Sequence, residues 1–187
     1  APSGRGLTAS QQTRRRISSG LAHYGLTEVL NYPFVASEVN ELFGQVAPSR
    51  QVQLYNALDP QVSWMRTSMV PGLVEAAKRN LSRGLTELAL FEAGTVFIPA
   101  DSLGTDDIPL GAERPDQATI DRLNASLPHQ PWHVGGLFVG QRIERGVGQA
   151  SVVRGIADAI DAALLTIRLA GGEGTVRQAT HPAYHPG

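Results

Sequence analysis

The chain has 187 residues, the length of one ordinary domain, and 42% of them are hydrophobic, which excludes intrinsic disorder. Its 16 Lys and Arg against 17 Asp and Glu give a formal net charge of −1, without the basic excess of a dedicated nucleic-acid module. Cysteine is absent, which excludes disulfides and thiolate metal sites and favours a cytoplasmic location. No apolar run approaches the roughly 18 residues of a membrane-spanning helix, so no membrane partner is expected.

The two ends of the chain differ from natural termini. The chain begins at Ala1 without an initiator Met and ends at Gly187 within the run His185-Pro186-Gly187. We therefore expect a single domain over residues 1–187 that is a piece of a longer protein, with partner groups outside it.

A first helix is predicted over residues 9–24. Thr8 and Gln11 form the T-x-x-Q pattern of a capping box, and Gly25 stands where a glycine ends many helices. Three apolar residues recur at i, i+4 and i+7, which places them on one face. They are Ile17, Leu21 and Tyr24.

The middle of the chain alternates between strand and helix patterns. Pro71 is favourable at a first helical position, Gly84 is an expected helix stop, and Gly94 indicates a bulge. The predicted elements are a strand over residues 29–34, a short helix over 37–43 capped by Ser37, a short strand over 51–55, a long helix over 71–83 and a long strand over 88–98.

Residues 99–131 carry many prolines and acidic side chains, which predicts a surface insertion with a short helix near 116–125. A strand over 132–139 follows, then a helix over 152–165 and short strands near 166–169 and 175–178. The expected inner face of that helix contains Val153, Ile156, Ala157, Ile160 and Leu164. This order favours an α+β class with a mainly antiparallel sheet flanked by helices.

The usual signatures of catalysis are missing. The chain has no G-x-S-x-G elbow, no phosphate loop and no complete G-x-G-x-x-G before a helix. His181 and His185 have the spacing of zinc ligands on a helix, but the prolines beside them disfavour a helix, and an irregular tail is expected. We therefore expect no catalytic, cofactor-binding or metal site in this domain.

Two charged features each allow a structural and a functional interpretation. Glu92 interrupts an apolar strand, and a buried carboxylate must be paired, so an ion pair with Arg66 or Arg79 is favoured over a ligand contact. The run Arg14 to Arg16 is expected to be a solvated face of the first helix, with an RNA or partner contact as the alternative.

Four segments of the chain match motifs of one known family. They are GLTEVLNYPF (25–34), WMRTSMVPGL (64–73), LFEAGTVF (90–97) and the closing HPG (185–187). Together they resemble the bacterial phenylalanine–tRNA ligase beta subunit family. The resemblance implies a catalytic-like domain with the fold of a class II aminoacyl-tRNA synthetase core. It also implies a whole enzyme of two alpha and two beta chains that uses ATP and magnesium in the alpha chain. Editing and tRNA binding are then expected in other domains of the beta chain.

Within that resemblance, the long strand departs from the pattern of active class II cores. Active cores continue the F-E-x-G strand as V-F-R-x-E, whose arginine holds the α-phosphate of ATP. Here Ile98 takes the position of the arginine and Ala100 that of the acidic residue. An isoleucine supplies no positive charge to the reacting phosphate, so a non-catalytic domain kept for alpha-subunit assembly is expected.

The resemblance also implies which residues belong to family motifs or to a subunit contact. In class II cores the first helix and the following strand form the dimer contact, although the same helix residues could equally fill this domain's own core. Arg66 and Ser68 are expected to cap the helix over 71–83 and to pair with Glu92, with a tRNA or alpha-subunit contact as the alternative. An active ATP-using ligase core and a stand-alone RNA-binding module remain alternative functions. The site and interface candidates are Arg66, Ser68, Pro71, Gly72, Phe91, Glu92, Gly94, Ile17, Leu21 and Tyr24.

Overall fold

A computed structural model of the chain describes residues 6–99, 111 and 114–185. Five α-helices occur in this part: α1 (Ala9–His23), α2 (Ser37–Gly44), α3 (Val70–Leu81), α4 (Gln117–Ala125) and α5 (Ile156–Ala170). The strands are β1 (Thr27–Glu28), β2 (Phe34–Val35), β3 (Trp64–Met65), β4 (Leu88–Thr95), β5 (Trp132–Val139), β6 (Gln141–Ile143) and β7 (Val152–Val153). The predicted α+β class is confirmed.

The described residues fall into two compact units. One is drawn from Ala1–Tyr32, Met69–Gly94 and His133–Gly187, and the other from Pro33–Ser68 and Thr95–Trp132.

The main sheet is three-stranded in the order β1-β4-β5. β1 runs parallel to β4, with Thr27 opposite Leu90, whereas the pairs β2–β3 and β6–β7 are antiparallel. The strand arrangement is therefore mixed, and the parallel pair was not foreseen from the sequence. Helix α3 packs its apolar side against this sheet, and burial of each large side chain there contributes about 1.5–3 kcal/mol. The core so formed contains Leu73, Ala76, Ala77, Leu88 and Leu90, with Val29, Leu137 and Val139 against it.

Helix α1 begins at the predicted residue and ends one residue earlier than predicted, at His23. The Thr8 hydroxyl accepts a hydrogen bond from the Gln11 N–H, and the Gln11 side chain accepts one from the Thr8 N–H, which completes the capping box. Gly25 follows the helix with φ of +100°, a left-handed conformation that favours glycine. The helix packs against α5, where the Leu169 side chain lies over Gly20.

The predicted strand over residues 29–34 is wrong. β1 ends at Glu28, β2 begins only at Phe34, and the backbone between them belongs to neither strand. Val29 still donates to the Phe91 carbonyl at 2.8 Å, and the Asn31 N–H then bonds a side chain of β4. The ladder is lost because Asn31 takes a side-chain acceptor at the point where the next strand bond would form.

The helix and strands predicted for the end of the chain also have the wrong bounds. Val152 and Val153 form β7, and α5 begins after Gly155, whose N–H donates to the Asp158 carboxylate at 2.8 Å. The buried residues of α5 are Asp158 and Ala162, while Ile156 is 80% exposed. The predicted strand over 166–169 is the last turn of α5, and residues 175–178 form no strand.

The second unit is organised by a buried polar network around Asn40, which is 2% exposed. Its Nδ2 donates to Gln51 Oε1 and to the Met65 carbonyl at 3.2 and 3.0 Å. Its Oδ1 accepts from the N–H and the hydroxyl of Thr67, each at 3.0 Å. Asn40 thereby satisfies its hydrogen-bonding capacity, as a buried amide must, and ties α2 to the chain around β3.

Several short elements of this unit agree only in part with those predicted from the sequence. Helix α2 starts at Ser37 as predicted, but its N-cap is Ala36 and no side chain caps it. The strand predicted over 51–55 is reduced to a bridge between Gln53 and Trp64. Helix α4 follows the predicted position, with Asp116 accepting from the Thr119 N–H at 2.8 Å. Residues 100–110 and 112–113 of the predicted insertion lie outside the described residues.

Candidate functional site

The carboxylate of Glu92 lies on β4 with no exposure to solvent. It accepts hydrogen bonds from the Asn31 N–H at 3.3 Å and from Asn31 Nδ2 at 2.7 Å. A charge removed from water is stable only when it is paired or hydrogen-bonded, and Asn31 provides two of the donors. The ion pairs predicted for Glu92 with Arg66 or Arg79 remain predictions.

Helix α3 holds the other side of Asn31. Arg79 Nη2 donates to Asn31 Oδ1 at 3.3 Å. Gly72 lies so close that a Cβ there would stand 3.1 Å from the Asn31 Cβ. The family-motif residues Gly72 and Glu92 are thus brought together around Asn31, a residue that was not selected from the sequence.

The neighbours of Asn31 in sequence are large and exposed. Leu30 is 91% and Tyr32 is 86% exposed to solvent, although both were expected in a strand. The segment Leu30–Tyr32, hereafter the apolar tip, therefore presents two large side chains from a backbone that is fixed at its centre. The only sequence signal for it was a polar residue inside an otherwise apolar run.

Arg66 is buried in the second unit, with 6% exposure. Its N–H donates to the Pro33 carbonyl at 2.8 Å, its Nε donates to the Thr95 carbonyl at 3.0 Å, and its own carbonyl accepts from Phe97. Met69 is the N-cap of α3 and its side chain makes no capping hydrogen bond, and the capping role expected for Arg66 and Ser68 remains a prediction. Ser68 precedes that position, and Pro71 is the second residue of α3 and not the first as predicted, because the helix begins at Val70.

The structure describes Ile98, where the sequence departs from the pattern of active class II cores. Ile98 and His129 exchange backbone hydrogen bonds of 2.8 and 3.0 Å, so the strand-like path continues beyond β4. The side chain at this position is a half-buried hydrocarbon. Ala100, the second departure, lies outside the described residues.

The three interface candidates from the first predicted helix differ in how far they are buried. Ile17 and Leu21 are 3% and 2% exposed and fill the core of their own unit, whereas Tyr24 is 43% exposed. Phe91 is fully buried and, with Leu21 and Leu26, lines an apolar cavity of about 320 Å³ whose other walls come from β5 and α5. Gly94 lies half-buried near the end of β4. Of the three helix residues, Tyr24 alone offers surface to a partner.

Over residues 6–99, 111 and 114–185, no three His, Cys, Asp or Glu side chains cluster closely enough to hold a metal ion. The His181 ring packs on Tyr184 with centroids 4.8 Å apart. In the same part of the chain, no helix combines the length and the apolarity needed to cross a bilayer.

Comparison with known proteins gives consistent matches along the whole chain. The phenylalanine–tRNA ligase beta subunit of Leifsonia xyli subsp. xyli is 42% identical over 189 residues, which cover all of this chain and 22% of that protein. The same subunit of Thermobifida fusca is 40% identical over 197 residues, covering all of this chain and 23% of that protein. The chain therefore spans less than a quarter of the length of these relatives.

The fold has a structural counterpart as well. A pyrrolysyl tRNA synthetase from Desulfitobacterium hafniense superposes with a TM-score of 0.50 over 88% of this chain and 46% of that chain, at 14% identity. This likeness shows an aminoacyl-tRNA synthetase fold of class II type. A family model, the phenylalanyl tRNA synthetase beta chain CLM domain, matches residues 1–187. The chain therefore belongs to the phenylalanyl-tRNA synthetase beta-chain family, as its CLM domain.

Proposed function

We propose that this chain is a non-catalytic synthetase-like domain that supports binding of the alpha subunit in a phenylalanine–tRNA ligase. ATP, magnesium and phenylalanine are used by the alpha chain in this proposal, and tRNA is bound through other domains of a cytoplasmic enzyme. The full-length relatives are named beta subunits, which supports a partner chain of a different kind.

The observation that carries the non-catalytic half of the proposal is the hydrocarbon at Ile98. Phosphoryl and adenylyl transfer depend on positive charge held at the phosphorus under attack, and removal of one such group lowers rates by about 10²-fold or more. Arg66, the arginine of the best-matched motif, is buried and donates to the Thr95 carbonyl, so its Nε is already engaged by the main chain.

The apolar tip supports the assembly half of the proposal. Large exposed apolar side chains on a fixed backbone are typical of residues that become buried in a partner, and aromatic anchors dominate such contacts. Leu30 and Tyr32 follow the first helix and β1, the region that the class II resemblance assigns to subunit contact.

Titration with ATP and magnesium tests the non-catalytic assignment. Isothermal titration calorimetry of the chain with up to millimolar Mg-ATP should give no saturable heat, and phenylalanine-dependent exchange of pyrophosphate into ATP should stay at background. The cognate alpha–beta enzyme is the positive control for the exchange reaction. Micromolar ATP binding to the chain alone would favour the active ligase core instead.

A further inference from the structure

We draw no further inference here: the strongest candidate, the apolar cavity of about 320 Å³ between β5 and α5, has the exposed residues Gly136, Ala159 and Ala163 in its walls and carries no proposal, because nothing in the described part of the chain shows what covers it.

Discussion

Asn31 Nδ2 lies 2.7 Å from a carboxylate oxygen of Glu92, a residue with no exposure to solvent. This bond joins the segment after β1 to the central strand β4. Glu92→Ala should lower the free energy of unfolding by about 3 kcal/mol, since it leaves the partly buried donors of Asn31 without an acceptor. Urea denaturation measures this, with Glu75→Ala on the exposed side of α3 as the control. Equal losses in the two variants would contradict a structural role for Glu92.

The free energy of unfolding should depend equally strongly on the hydrogen bonds of Asn40. Asn40→Ala removes the partners of Thr67, Gln51 and the Met65 carbonyl, so we expect a loss of about 2–4 kcal/mol in the free energy of unfolding. Asn56→Ala, at an exposed position in a turn, should change it by less than about 0.5 kcal/mol. Chemical denaturation of the two variants gives the comparison, and a loss below about 1 kcal/mol for Asn40→Ala would speak against the network.

Two adjacent glycines of β5 allow a matched pair of alanine substitutions. A Cβ on Gly135 would lie 2.8 Å from the Met69 Cβ and 3.0 Å from Leu73, whereas one on Gly136 would meet only ordinary contacts at 3.8 and 3.9 Å. Gly135→Ala should therefore destabilise the fold by about 1–3 kcal/mol. Gly136→Ala should be neutral or stabilise by up to about 1 kcal/mol, because it restricts the unfolded chain. The reverse order of melting temperatures would show that β5 packs differently.

Asp158 should make stability depend on pH in the acid range. The Gly155 N–H holds the pKa of Asp158 below its usual value, and Arg142 and Arg154 act in the same direction against the effect of burial. Because the folded pKa is depressed, the ionised carboxylate stabilises the fold above about pH 4, and this contribution is lost as the pH falls through the folded pKa. Wild type should exceed Asp158→Asn in stability at pH 7, and the difference should shrink by pH 3. A difference that does not change with pH, measured by urea denaturation, would contradict this assignment.

Elements whose ends are marked by local chemistry could be predicted from the sequence. Thr8, Gln11 and Gly25 define α1 through bonds and a conformation that depend on neighbours in the chain, and β5 spans the predicted residues 132–139. The start of α5 was predicted too early because the apolar stripe from Val153 has helical spacing, whereas the helix begins after Gly155, whose N–H donates to the Asp158 carboxylate. Val153 instead pairs with β6, a contact between segments that periodicity cannot reveal.

The candidate site was predicted only in part. Glu92 was recognised as a buried carboxylate from its place in an apolar strand, and Gly72 through its motif. Asn31 was missed because its partners lie 48 and 61 residues away in the sequence. Strand propensity at Leu30 and Tyr32 favoured a buried strand, but the Asn31 N–H between them donates to the Glu92 carboxylate and not to a strand neighbour, and both side chains are exposed.

Binding of this chain to the cognate alpha subunit, measured in solution without nucleotide, tests the central claim most directly. Analytical ultracentrifugation of the two chains at micromolar concentration should show a complex that contains both, formed equally well with and without Mg-ATP. Sedimentation of the two chains as separate species at concentrations up to about 100 μM would contradict an assembly role for this domain.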